Sequence, residues 1–235
     1  MLCKIADLIT DVPDTGGLAP RIRDYLWDKN DCPDIDIRES DFRPNAWKGA
    51  SYDLYCYMES GAAFYANLLR YGGMMLHASA VSYGGRAYLF SGPCGIGKST
   101  HTKLWKQAFG DEAVVFNDDK PALRFLDGRW YAYGTPWCGK DGINTNLKVP
   151  LAGICFLEQG SENRISFLSP KDAIPFIIPQ TMYRFKKADN VQLMLKNMAN
   201  LISAIPVFNM VNQADLHSVF LSYSTMHQEA EKRGL

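Results

Sequence analysis

Long apolar runs are missing from this 235-residue chain. The longest, such as Ile174 to Pro179, fall far short of the ~20 residues that span a bilayer, so no membrane partner is expected. An excess of charge is missing too. Lys and Arg number 25 against 25 Asp and Glu, a formal net charge of zero, so no global basic field draws the chain to nucleic acid or anionic lipid. Any anionic ligand must be held by local groups. Paired cysteines are absent: Cys3, Cys32, Cys56, Cys94, Cys138 and Cys155 lie scattered with no C-x-x-C, which is neither a zinc pattern nor a disulfide framework for a chain this long. Met1 to Lys4 lacks a signal-peptide apolar region, so the encoded start is the expected mature start and the expected location is cytoplasmic, with reduced thiols. Repeats and low-complexity tracts are absent as well.

What remains is the composition of a folded globular protein, with 47% hydrophobic, 12% aromatic and 21% charged residues. Such a length buries roughly 70% of the unfolded surface, enough for one large domain or one with a small appendage. Cys3 to Ile9 reads as a strand, Leu18 to Trp27 as a short helix and Ile35 to Arg38 as a brief strand. From Tyr52 to Tyr71, Leu54, Met58, Ala62, Tyr65 and Leu69 recur at helical spacing, and Gly72-Gly73 ends the pattern. Residues 1–73 therefore read as an N-terminal α/β layer packed on a core of residues 74–235.

Met74 to Val81 and Ala87 to Phe90 read as strands around Gly84-Gly85, a hairpin turn. Pairing Tyr83 with Arg86 places His77 opposite Gly92, at the mouth of the next segment. That segment is Gly92-Pro93-Cys94-Gly95-Ile96-Gly97-Lys98-Ser99-Thr100, a full G-x-x-x-x-G-K-[ST] match between a strand and a helix. Glycines let backbone N–H groups close around phosphate, and a helix N-terminus adds partial positive charge. The lysine reaches the β/γ-phosphates and the serine ligates Mg²⁺. Cys94 is either a small loop filler or a redox-sensitive thiol.

A helix from Lys98 to Phe109 runs about 18 Å away from this loop. After Gly110-Asp111 the strand Ala113 to Asn117 climbs back about 17 Å, returning Asp118 and Asp119 to the level of the phosphates. There one carboxylate can hold Mg²⁺ and another accept a proton. Alternatively, Asn117 to Pro121 is only a polar turn. Asp127-Gly128 is a second hairpin signal. Its ladder, pairing Leu126 with Arg129, extrapolates to Asp119 opposite Pro136, bringing Trp137 and Lys140 beside the aspartates. Lys140 would meet a phosphate or acidic substrate and Trp137 would wall the site, or they are a solvated lysine and a core tryptophan. Asn144 and Asn146 share one face of an extended segment and either line the substrate side or cap a turn. Arg184 is a candidate for transition-state charge, against an ordinary surface arginine. His101 is expected on a helix surface, and His217 and His227 on the polar face of a C-terminal helix.

Leu76 to Val81, the hairpin, Gly92 to Ser99 and Asn117-Asp118-Asp119 together resemble the HPr kinase/phosphorylase family and its superfamily with ATP-dependent phosphoenolpyruvate carboxykinase, specifically from about Met74 to Pro121. The resemblance implies that His77, Lys98, Ser99, Asp118 and Asp119 fill the family's site positions, the first aspartate handling the proton and the second, with Ser99, the magnesium. The chain differs in having Thr100 where the family has glutamate, and in lacking its Glu-x-Arg-Gly-x-Gly signature, which leaves the acceptor and any reverse phosphorolysis open.

The expected fold is α/β, a mixed, largely antiparallel sheet bearing a P-loop, with the Tyr52 to Tyr71 helix, the loop helix and C-terminal helices from Ala188 and Ala214. The expected function is transfer of a phosphoryl group from Mg²⁺-ATP to a hydroxyl of a protein, peptide or small molecule. A regulatory nucleotide-binding protein or an ATP hydrolase is the alternative. Homo-oligomerisation stays open.

Overall fold

A computed structural model describes residues 1–44, 46–181 and 188–235 of the chain. Its first strands, β1 (Leu2–Ile5) and β2 (Leu8–Asp11), pair antiparallel around Ala6 and Asp7, whose φ angles are 51° and 60°. The single strand expected from Cys3 to Ile9 is therefore a hairpin. A two-residue turn with both φ positive suits the twist of paired strands but ordinarily announces itself through Gly or Asn, and Ala-Asp carries no such signal. The helix expected at Leu18 to Trp27 shortens to α1 (Ala19–Ile22) and a 3-10 turn at Arg23–Tyr25. β3 (Ile35–Asp36) then joins β2 in parallel, completing a three-stranded sheet.

Helix α2 (Tyr52–Leu68) starts where the Ser51 side chain accepts from Leu54 N, and it ends through a 3-10 turn at Gly72, φ 71°. Its inner face buries Tyr57, Phe64, Tyr65 and Leu68 against Ile5, Leu8 and Tyr25 of the N-terminal layer and against Trp137. Each large side chain buried in this way contributes roughly 1.5–3 kcal/mol.

The main sheet contains β4 (Gly73–Met75), β5 (Ala78–Tyr83), β6 (Arg86–Ser91), β7 (Val114–Asp119), β8 (Ala122–Leu126), β9 (Arg129–Tyr133) and β10 (Lys148–Gln159). They run in the order β4-β8-β9-β10-β6-β5-β7, with nine strands in all. The strand expected from Met74 to Val81 breaks at Leu76-His77, because β4 pairs with β8 whereas β5 pairs with β6 and β7. Most pairings are antiparallel. β10 is parallel to both β6 and the late strand β12 (Val207–Asn212), and its continuous buried run from Leu151 to Leu157 is what a strand flanked and covered on both faces requires. β11 (Arg164–Leu168) pairs with β12.

Helix α3 (Lys98–Phe109) lies between the sheet and α6 (Leu216–Lys232), while α4 (Pro170–Ile177) and α5 (Ala188–Ala204) pack on one another and on the main core. This arrangement corrects the expectation for His101. It is fully buried, 4.3 Å from the Phe90 ring and bonded to Ser222 Oγ at 3.1 Å, because α6 covers the face of α3 that would otherwise be wet. Burial lowers its pKa to about 4. His227 likewise turns inward, stacking on Tyr223 and reaching Tyr88 OH, while His217 is exposed. No helix among the described residues is long and apolar enough to cross a membrane.

Candidate functional site

Strand β6 ends at Ser91, and the chain then passes through Gly92, Gly95 and Gly97 at φ 137°, 81° and 108° before entering α3 at Lys98. Those angles favour glycine and strain other residues. The Lys98 ammonium folds back across the loop, donating to Gly92 O at 2.8 Å and Pro93 O at 3.1 Å. Burial lowers its pKa, partly offset by Cys94, Asp119 and Asp118. Gly97 offers no side-chain cap to α3, so first-turn N–H groups are left for an outside acceptor, and the helix end favours an anion.

The two aspartates reach this loop along β7. A bulge between Ala80 and Val81 of the β5 pairing shifts the register and leaves Ser79 opposite Asp118 and Ala78 opposite Asp119. Asp118 is buried, and its Oδ1 accepts from Ser99 Oγ at 3.0 Å. Asp119 sits at φ 117°, which breaks strand geometry and sends its carboxylate elsewhere, to His77 Nε2 at 3.1 Å and to the Lys120 ammonium. Burial alone would raise the Asp119 pKa, but the His77 bond and the Lys120 charge outweigh it and hold the group at about 2. Ser99 thus meets Asp118, whereas the division implied by the resemblance paired Ser99 with Asp119.

The hairpin ladder stops one residue short of His77. The ladder ends at Ala78 opposite Ser91, and Ser91 Oγ donates to His77 O at 2.8 Å. Gln180 fixes it from the other side, accepting from His77 N at 2.7 Å and meeting Nδ1 through Oε1 at 3.0 Å. The turn after Asp119 is pinned as well. Lys120 N donates to Asn117 Oδ1 at 2.9 Å, while Tyr65 OH donates to Lys120 O at 2.5 Å. Nothing in the sequence singles out Gln180. Lys120 and Asn117 flank the aspartate pair, and that adjacency is a usable signal.

Other candidates fall differently. Trp137 is a core residue, 1% exposed and stacked 4.9 Å from Phe64, with Nε1 donating to Ser60. Its ladder toward Asp119 stops at Ala122 opposite Tyr133, since Pro121 has no N–H to extend it. Asn144 and Asn146 donate to Arg21 O and to Lys4 O and Asp24 O, so they fasten the N-terminal layer and do not line a substrate face. Lys140 is exposed, on a loop held near the site by Gly139 N donating to Asp118 O at 2.5 Å and by the Lys103–Asp141 pair at 2.9 Å. Cys94 and Thr100 are exposed and Ile96 half-buried in the loop. Arg184 lies outside the described residues.

Among the described residues no group of three or more His, Cys, Asp or Glu is arranged to hold a metal. A serine hydroxyl beside one carboxylate is nonetheless a fitting donor set for Mg²⁺, which keeps several waters and takes one or two carboxylates together with phosphate oxygens.

Residues 53–223 match the model of a protein family described as "ScmC: SynChlorMet cassette protein ScmC", and the chain belongs to that family. No curated protein matches it. Among solved structures it is similar to the Hpr(Ser) kinase/phosphatase from Coxiella burnetii, at 11% identity and a TM-score of 0.39 over 67% of this chain and 91% of that one.

Proposed function

We propose that this chain is a kinase that moves a phosphoryl group from Mg²⁺-ATP to a hydroxyl. The observation that carries the proposal is the Ser99 hydroxyl donating to a buried Asp118 beside a lysine ammonium folded into a glycine loop. In this scheme Gly92, Cys94, Gly95, Ile96, Gly97, Lys98, Ser99 and Thr100 surround the phosphates. Backbone N–H groups and the uncapped start of α3 bind them, and Lys98 exchanges its two carbonyl partners for phosphate oxygens. Ser99 and Asp118 hold Mg²⁺. When bound, Mg²⁺-ATP supplies the transferable group and offsets charge developing on it.

Asp119 and His77 serve the acceptor. As the acceptor oxygen bonds to phosphorus and the bond from phosphorus to the ADP oxygen breaks, the hydroxyl proton passes to the Asp119 carboxylate and then to water. His77 keeps that carboxylate aimed. Lys120 must first leave Asp119, because a carboxylate held near 2 is a weak proton acceptor. This division reverses the one implied by the family resemblance, and the Ser99–Asp118 contact is its support.

Two measurements test the proposal. Fluorescent ATP titrated with and without Mg²⁺ against wild type and Lys98→Ala should show tight, magnesium-dependent binding only for wild type. Equal affinities would remove the nucleotide site. Incubating the protein with γ-labelled ATP and a fractionated cell extract should place label on an acceptor. Label recovered only as inorganic phosphate would make the protein an ATP hydrolase.

A further inference from the structure

A cavity of about 770 Å³ opens between α2 and the segment that precedes it. That volume lies in the range of pockets that take small molecules. One wall is α2, where Met58, Ala62 and Ala66 recur at every fourth residue, half-buried, and the two alanines are too short to close the space. The preceding segment contributes Trp47. Indoles are ordinarily well buried, yet this one is 40% exposed.

The Trp47 ring is fixed where it stands. Its Nε1 donates to Glu59 Oε1 at 2.8 Å, and Glu59, 2% exposed, is held in turn by Arg43 through Nη2 at 2.6 Å, Nε at 3.0 Å and backbone N at 2.8 Å. A buried carboxylate paired in this way is often no more stabilising than apolar residues of the same volume, so what the network supplies here is orientation. The polar atoms of two further rings in the lining are engaged as well: Tyr57 OH donates to Cys138 O at 2.8 Å and Trp137 Nε1 to Ser60 Oγ at 3.2 Å. These rings therefore offer an entering molecule carbon surface. Charge of neither sign is in excess, since Asp36, Asp41 and Glu59 match Arg43, Arg70 and Lys120 in number.

We infer that the cavity binds a flat aromatic molecule of no net charge, its ring stacked on Trp47 over Ala62 and Ala66. Stacking on an indole that is already oriented avoids the ordering cost of a mobile side chain. Lys120 and Met75 line the cavity too, which puts the bound molecule beside the turn that carries Asp119. That it also bears the hydroxyl which accepts the phosphoryl group rests on the kinase proposal; its capture as an uncharged ring does not.

The probe is N-phenyl-1-naphthylamine, an uncharged aromatic whose fluorescence rises in apolar surroundings, compared with its anionic counterpart 1-anilinonaphthalene-8-sulfonate. Wild type should bind the neutral compound at one saturable site and the sulfonate about tenfold more weakly, because the anion gives up water with no surplus of positive charge to replace it. Trp47→Ala should weaken the neutral compound about tenfold, and Trp47→Phe, which keeps a ring, much less. In both variants Glu59 retains its three bonds from Arg43, so the fold is kept. Ala62→Trp, which fills the cavity, should abolish binding. No saturable site in wild type, a sulfonate bound as tightly as the neutral compound, or wild-type affinity in both Trp47→Ala and Ala62→Trp would overturn the inference. Saturating probe, which has no hydroxyl, should also stop transfer of label to the acceptor while ATP stays bound; undiminished transfer would place the acceptor elsewhere. Lys98→Ala keeps the two proposals apart. Retained ATP affinity in that variant beside a saturable probe site sinks the kinase proposal alone, and magnesium-dependent ATP binding in a wild type without a probe site sinks the ring site alone.

Discussion

Replacing Asp119 with asparagine isolates its charge, since asparagine also tolerates the positive φ of 117° found there. In the folded protein, burial would raise the carboxyl, but the His77 hydrogen bond and the Lys120 charge hold it at about 2, against an ordinary 3.8. The folded state therefore binds this proton less tightly than the unfolded state does. The resulting stabilisation is complete above the unfolded value and is lost as pH falls through the folded one. A shift of nearly two units at about 1.4 kcal/mol each is worth about 2 kcal/mol at pH 7. Because the side chain is 26% exposed, water screens the pair only in part. Urea unfolding followed by tryptophan fluorescence should show Asp119→Asn less stable by about 2 kcal/mol at pH 7, by about half that at pH 3, and hardly at all at pH 2. No difference at pH 7, or a constant difference down to pH 3, would mean that His77 and Lys120 do not set the state of this carboxylate.

The two aspartates should also part company in catalysis. Asp118→Asn should raise the Mg²⁺ needed for ATP binding, while Asp119→Asn should bind Mg²⁺-ATP nearly normally and lose about 10²- to 10⁴-fold in turnover, as magnesium titrations and transfer assays would show. Tyr65→Phe removes the 2.5 Å bond to Lys120 O, and with Thr135 still bonded there at 2.9 Å it should cost about 1 kcal/mol in urea unfolding, with nucleotide affinity unchanged. Gly61→Ala would put a Cβ 2.8 Å from Trp137 Cδ1, in a ring fixed by Phe64 and Ser60. The overlap should outweigh the gain in helix propensity and lower Tm by about 2–6 °C in a thermal scan.

Local turn chemistry is legible in the sequence wherever glycine carries it. Gly84-Gly85 and Asp127-Gly128 set the registers, and Tyr83 indeed pairs with Arg86 and Leu126 with Arg129. Counting along the first of these ladders reaches Ala78 opposite Ser91, one residue short of His77 and Gly92. Where long-range packing decides, the signal vanishes. The break at Leu76-His77 exists because two halves of one apolar run find different partners, and the roles of Asn144 and Asn146 depend on carbonyls more than a hundred residues away. Trp137 suits a wall and a core equally well by its chemistry, and it is both, packed on the aromatic face of α2 while lining a cavity beside that helix.

The aspartate pair shows both limits at once. Alternation along a strand means that two successive carboxylates cannot share one cation without a twist, and that much is dictated by the sequence. Which of them turns is a matter of the backbone. The positive φ falls at Asp119, so Asp118 keeps the strand's inward direction and meets Ser99, while Asp119 swings to His77 and Lys120. Asn117 and Tyr65 hold Lys120 in place through its backbone N–H and carbonyl. Its side chain is thereby kept against the Asp119 carboxylate, so the turn that parts the two aspartates also supplies a cation that holds one of them ionised.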